Sequence, residues 1–268
     1  MPQPHLPPEI ADHIIDLLHD QPDTLRNCCL ASTSFIYRAR KYLFEDIGFA
    51  SSPEDFPKLE AWKKTFLNHK TSPAHHTRSL SVGCTEIVTD EDAKEGGWIE
   101  PFSEVVRLEL WDGSWDGPVV NHSFHPFHVL SKVKHLRLVF TTIPPLDLLK
   151  FICSFPLLED LDVAGRDPDA IGTDGGGTIV WPPNFQFPPL TGTLVVRRSR
   201  LDRIAHLLLA LPGGLHFRKI IWDMHHPEEL EGLVAVVEKC SNTLECIDID
   251  RPLDGKSRPF VPCNRFGI

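Results

Sequence analysis

The 268-residue sequence has no hydrophobic run long enough to cross a bilayer; its greasiest stretches, such as Ile204 to Leu211, fall far short of the ~20 residues a membrane requires. Its opening, MPQPHLPPEIADH, carries neither a basic segment nor an apolar one, so no secretory signal is expected. Basic charge is scarce as well. The 27 Lys and Arg against 37 Asp and Glu leave a net charge of −10 and a pI near 5.7. Nucleic acid and anionic membranes are therefore disfavoured partners, because binding phosphate backbones needs a basic surface that displaces counterions. Seven cysteines at irregular spacing, with no Cys-x-x-Cys, do not form a disulfide framework, and a cytoplasmic or nuclear location is expected.

Catalytic and metal-binding patterns are equally missing. There is no Gly-x-Ser-x-Gly, and Asp174-Gly-Gly-Gly177 lacks the Lys-Ser/Thr of a phosphate-binding loop. His122, His125 and His128 are spaced by three and broken by Pro126, whereas imidazoles converging on zinc from a helix stand four apart. His75-His76 and His225-His226 are adjacent pairs, which point to different sides. Asp167, Asp169 and Asp174 lack the register of a calcium loop. Cys28 and Cys29 fall on an apolar helical stripe, where a thiol is an inert hydrophobe. No catalytic residue, metal or cofactor is expected, and the chain reads as a non-enzyme.

What the sequence does contain is ordinary globular composition, 41% hydrophobic and 24% charged, which excludes global disorder. Its 24 prolines, nearly twice the usual share of about 5%, confine regular elements to short pieces and exclude a long coiled coil. At roughly 150 residues per domain the length suggests about two domains.

An internal repeat organises most of the chain. The pattern apolar-x-x-apolar-x-apolar recurs at Val105–Leu110, Val133–Leu138, Leu158–Val163, Phe217–Trp222 and Leu244–Ile249, with weaker copies at Thr77–Val82 and Thr191–Val196. Taking the fourth position as a marker gives residues 80, 108, 136, 161, 194, 220 and 247, at steps of 28, 28, 25, 33, 26 and 27. Each copy alternates apolar and polar residues, the period of a half-buried strand. Helical stretches lie between copies. Pro144-Pro145 opens 146–153, with Leu148, Leu149 and Ile152 on one stripe; Leu201 to Leu211 is a second; Pro227-Glu-Glu opens Leu230 to Cys240. The long step of 33 holds a turn-rich insertion that includes Asp174-Gly-Gly-Gly and Trp181-Pro-Pro, and Asp90 to Gly97 is a further polar loop. A strand and a connecting helix repeated every ~20–29 residues resemble a leucine-rich repeat solenoid, whose units bury their apolar faces only against neighbours.

Residues 1–48 do not fit the repeat. Ile10, Ile14, Leu17 and Leu18 lie at helical spacing with Glu9 in the first turn; Asp23 is expected to cap a helix carrying Leu25, Cys28 and Cys29; Ser32 to Ser34 precede a third with Phe35, Ala39, Tyr42 and Leu43. Three short helices hold little core, which suggests completion by a partner. The runs Leu6-Pro-Pro-Glu-Ile10, Ile14-Ile-Asp-Leu-Leu18, Thr24-Leu-Arg-Asn-Cys-Cys-Leu30 and Arg40-Lys-Tyr-Leu-Phe44-Glu-Asp-Ile47 resemble an F-box, in the form common among fungal F-box proteins. Phe35 stands where that family usually has tryptophan, and Cys28 and Cys29 where leucine and valine are frequent.

The expected architecture is thus α plus α/β: a three-helix F-box over 1–48, a linker helix within 49–74 around Glu60 to Asn68, and a leucine-rich-repeat-like solenoid of about seven strands over 75–268. The resemblance implies the substrate receptor of a Skp-cullin-F-box ubiquitin ligase, which docks on the Skp adaptor and through it a cullin-RING ligase, with the target protein on the repeats. Leu6, Pro7, Pro8, Ile10, Ile14, Leu25 and Leu30 match family positions that face Skp. The alternative is a protein-binding scaffold whose F-box is degenerate, which Phe35 and the cysteine pair permit.

Period-two geometry turns the third and fifth residues of each strand to solvent, so Arg107, Glu109, His135, Arg137, Asp160 and Asp162 are expected to line the concave face and contact the substrate. Arg107, His135 and Arg137 are expected to form one basic patch suited to an acidic or phosphorylated segment. Trp111, Trp115 and Trp181 flank that face as candidate anchors.

Overall fold

The computed structural model describes residues 6–49, 56–66, 72–83, 97–114, 127, 129–142, 145–165, 186–197, 201–211, 213–224 and 229–250. Asp90 to Gly96, His122, His125, His128, His225-His226, the three loop aspartates, Trp115 and Trp181 lie outside them.

Three helices open the chain: α1 (Pro8–Leu17), α2 (Pro22–Ala31) and α3 (Thr33–Leu43). Proline begins the first two, where its missing N–H loses no helical bond, and the Ser32 hydroxyl caps α3 by accepting from Ser34 N. Asp23 does not cap α2 as expected. Gln21 holds that position, and Asp23 sits in the first turn, where it favours the helix dipole and pairs with Arg26. Helix α3 packs on both α1 and α2 around a cluster of Ile15, Leu25 and Ala39, and with Ala11 the three helices hold only four fully buried side chains.

The remainder is one eight-stranded, all-parallel sheet in strict sequence order: β1 (Asp46–Phe49), β2 (Ser79–Gly83), β3 (Arg107–Ser114), β4 (His135–Thr142), β5 (Asp160–Gly165), β6 (Thr193–Arg197), β7 (Lys219–Asp223) and β8 (Cys246–Asp250). This is the arrangement of a leucine-rich-repeat-like α/β solenoid. Among the described residues the sheet exceeds the expected seven strands by one, because Asp46–Phe49, at the end of the helical segment, pairs with β2. The seven markers fall in a single row, Leu80↔Leu108↔Leu136↔Leu161↔Leu194↔Ile220↔Ile247, and Ile47 extends it. Six of them, Leu80 to Ile220, are buried to 2% or less; Ile247, on the edge strand, is 44% exposed.

Helices α5 (Pro145–Cys153), α6 (Leu201–Leu209) and α7 (Glu229–Cys240) connect β4 to β5, β6 to β7 and β7 to β8. Leu148, Leu149 and Ile152 are buried against the sheet, as their spacing requires. Helix α4 (Phe56–Thr65) lies within the expected linker, overlaps the helix expected around Glu60 to Asn68 and starts four residues earlier, and it is part of the core. Its Leu59 is buried, and its Trp62 meets Phe44 and Phe49 edge-on and Phe102 at a tilt, so the aromatic rings join the helical segment to the first strands.

Entry into the strands is uniform. The carbonyls of Glu45, Arg78, Val106, Lys134, Gly192 and Arg218 each accept two N–H groups from the next repeat, at 2.7–3.2 Å. One junction departs from this. Glu159 O accepts only Gly192 N, and Thr193 N turns to the Asp160 carboxylate instead. That junction follows the long step of 33 residues.

Candidate functional site

Two surfaces carry the residues singled out in the sequence. The first is the helical segment. On α1 the inward stripe is Ala11, Ile15 and Leu18, which leaves Ile10 (49% exposed), Ile14 (36%) and Leu17 (65%) as an apolar stripe with no partner among the described residues. Leu6, Pro7 and Pro8 are exposed beside it, and Leu30 on α2 is 87% exposed. Leu25 is different. Helix α2 turns it inward onto Ile15 and Ala39, where it is 1% exposed, so it is core and cannot touch a partner without dismantling the helices.

Helices α1 and α3 are clamped by polar contacts. Arg38 donates to both Asp16 oxygens at 2.6 and 2.8 Å, and Tyr42 Oη donates to Oδ1 at 2.8 Å. These hydrogen bonds, Arg38 first, hold the Asp16 carboxyl at about 2. The Cys29 thiol, packed against the helical core, is pushed up by burial, which keeps it protonated and unreactive.

The second surface is the solvent-facing side of the sheet, where lateral register sets the contacts. Arg107, His135 and Asp160 share one row; Glu109, Arg137 and Asp162 share the next. The six residues come together as expected, but the arginines and the histidine do not form a basic patch. Arg137 Nη1 stands 2.7 Å from Glu109 Oε1, and its Nε stands 3.4 Å from Asp162 Oδ2. Arg107 reaches past the small Ser79 to Asp46 at 3.6 Å, and His135 Nδ1 meets Asp160 Oδ2. Arg137 and His135 thus face carboxylates of neighbouring strands, contacts worth roughly 0.2–1 kcal/mol each, and Arg107 faces one two strands away, which leaves little charge for an anionic ligand. Burial raises the Glu109 and Asp162 carboxyls above their usual range, against the pull of Arg137 on both and of Arg197 on Asp162. Burial raises Asp160 as well, yet the hydrogen bonds from His135 and Thr193 outweigh it and lower the group.

Trp111 completes this face. Its ring lies 5.5 Å beneath the Arg137 guanidinium, and its Nε1 donates to Ser81 Oγ at 2.6 Å. Spacing alone placed the six residues on the solvent-facing side of the sheet but not their pairing, which depends on which residues stand side by side 25 to 28 positions apart.

No group of three or more His, Cys, Asp or Glu side chains is placed to hold a metal among the described residues, and no described helix is long and apolar enough to cross a membrane. The chain matches no protein-family model, no curated protein and no solved structure.

Proposed function

We propose that this chain is a substrate-recognition adaptor of a Skp-cullin-F-box ubiquitin ligase, its helical segment docking on Skp and its repeats holding a target protein. The reading rests on the F-box resemblance of residues 6–47, and one observation supports it most. A three-helix unit with only four fully buried side chains, Ala11, Ile15, Leu25 and Ala39, leaves Ile10, Ile14 and Leu17 exposed in one stripe. Single exposed apolar residues are common, whereas a contiguous stripe marks an interaction surface. The parallel solenoid behind it supplies a rigid face for a target. In this reading the chain performs no chemistry; other subunits transfer ubiquitin, and the adaptor contributes proximity and orientation. It would act in the cytoplasm or nucleus, with neither nucleic acid nor membrane as partner.

The test is co-purification with Skp. Ile14→Asp places a carboxylate in the docking stripe, where burying it without a partner costs several kcal/mol. It should abolish Skp association while the repeats stay folded, because Ile14 touches none of the solenoid core. Undiminished capture by this variant refutes docking through α1. Absence of Skp binding by the wild type favours the scaffold with a degenerate F-box.

A further inference from the structure

The solenoid ends on an apolar face. Each interior strand buries its core-facing side chains between two neighbours, but β8 is the last strand of the sheet among the described residues. Ile247 closes the marker row half-exposed, and Ile249 does the same for the row that runs from Val82 to Trp222, whose other members are all buried. On α7, the helix that leads into β8, Leu230 and Val234 are half-exposed one turn apart, whereas Leu233 and Val236 are buried. A terminal repeat that keeps a solenoid soluble turns polar residues outward, so four apolar side chains at this end need a cover.

The charge of this end selects the occupant. Residues 229–250 hold six Asp and Glu and one Lys. Glu231, Glu238, Glu245 and Asp248 are exposed, and Glu245 has Arg218 3.9 Å away. A second copy joined edge to edge through β8 would bring these carboxylates against their own counterparts, and like charges placed opposite one another are destabilising. The cover has to be basic as well as apolar.

Residues 251–268, outside the described residues, have that composition. They follow β8 directly and carry Arg251, Lys256, Arg258 and Arg265 against Asp254 alone, a basic surplus in a chain whose total charge is −10. Phe260, Val261 and Phe266 stand among these cations. We propose that residues 251–268 fold back on the end of the solenoid as its cap, with Phe260, Val261 and Phe266 covering Ile247, Ile249 and Val234 and the basic side chains answering the acidic edge.

Reach and residue type both allow it. Fully extended, the segment spans up to about 60 Å, while the five residues of β8 cover roughly 17 Å, so it can leave Asp250, reverse and lie along the whole strand. Asp254-Gly255 is a turn signal at the place where that reversal is needed. Pro252, Pro259 and Pro262 lack the N–H groups of a regular ninth strand, which suits a cap that ends the sheet in place of one that offers a new edge. The inference is independent of docking of α1 to Skp and of any target.

The experiment labels the Ile, Val and Phe side chains of the full chain and reads ring-to-methyl contacts by NMR, with light scattering to follow the oligomeric state. In a monomer, the Phe260 or Phe266 ring should show through-space contacts to the Ile247 and Ile249 methyls. Phe260→Ser with Phe266→Ser should abolish them and lower the melting temperature by about 3 °C or more. Lys256→Glu with Arg258→Glu should weaken them, and the wild-type contacts should themselves fade as salt is raised. Ile14→Asp, on the far helical segment, should leave them intact. Absence of these contacts in the full chain overturns the proposal, as does an unchanged melting temperature in the double Phe variant. Contacts seen only between differently labelled copies of a dimer overturn it in favour of a second copy.

Discussion

The Asp160 carboxylate occupies the space above Gly192: a Cβ at that position would overlap Asp160 Oδ1 and stand 2.7 Å from its Cγ. The carboxylate is there because it replaces a backbone carbonyl as acceptor for Thr193 N, at the one junction where the uniform strand entry is broken. Asp160 is thus a structural residue of the repeat as well as a member of the solvent-facing row with Arg107 and His135. Gly192→Ala should force the carboxylate out, strand the Thr193 N–H and cost about 1–3 kcal/mol. In a double-mutant cycle with Asp160→Ala, the second change should cost clearly less than it does alone, as thermal unfolding of the four proteins would show. Strict additivity would disprove the coupling.

Arg137→Glu is expected to be far more damaging than Arg107→Glu. The first puts a third carboxylate between Glu109 and Asp162, all three positions mostly buried, at a cost on the order of 3 kcal/mol. At roughly 2–4 °C per kcal/mol for a chain of this size the melting temperature should fall by about 6–12 °C. Arg107, nearly half exposed and 3.6 Å from Asp46, should cost less than about 1 kcal/mol on reversal. Because Glu109 and Asp162 already have raised pKa values, they bind protons more readily folded than unfolded. The damage in Arg137→Glu should therefore shrink as pH falls through the carboxylate range, and a melting series against pH would reveal it.

Acid should loosen the α1–α3 clamp late. Asp16 has a folded-state pKa of about 2 against 3.8 for the free group, so its contribution is fully present above the unfolded value and fades as pH falls toward 2. NMR signals of Tyr42 and the α1 amides, followed from about pH 6 to about pH 2, should hold steady and then change near the lower end. Asp16→Asn should remove that transition and weaken the α1–α3 contact already at neutral pH.

Truncation at Phe217 should destabilise everything upstream. Removing 217–268 takes away Phe217, Ile220 and Trp222, each fully buried, and uncovers Leu194 and Val196 of β6. In a quasi-one-dimensional array such damage spreads from the cut, so the melting temperature should drop or light scattering should report aggregation. An equally stable monomer would mean that the first six strands form a self-sufficient unit.

Local pattern determined much of this molecule. Period-two alternation and a spacing of 25 to 33 residues placed seven strands, and the marker row came out in register because a one-residue slip would turn every buried leucine to solvent. The helix stripe on α5 was legible for the same reason, whereas the stripe read on the first helix, Ile10, Ile14, Leu17 and Leu18, is split: Leu18 turns inward beside Ala11 and Ile15, and the other three stay exposed. A further signal lay three residues upstream of the repeat as read. Ala74, Phe102, Leu130 and Phe155 are all buried, and each carbonyl accepts the N–H of the residue three positions on. Extending the alignment by one turn would have found them.

Tertiary structure decided the rest, and in each case the reason is lateral. Whether Leu25 faces a partner or the core depends on where α3 lies. Whether Asp46–Phe49 is a strand depends on a β2 edge more than 30 residues away. Whether Arg137 is free to bind a ligand depends on Glu109 and Asp162, which no local pattern places beside it. Charge along the chain is set by the sequence, but which charges meet is set by register between strands, and that is why Arg137 is held by Glu109 and Asp162.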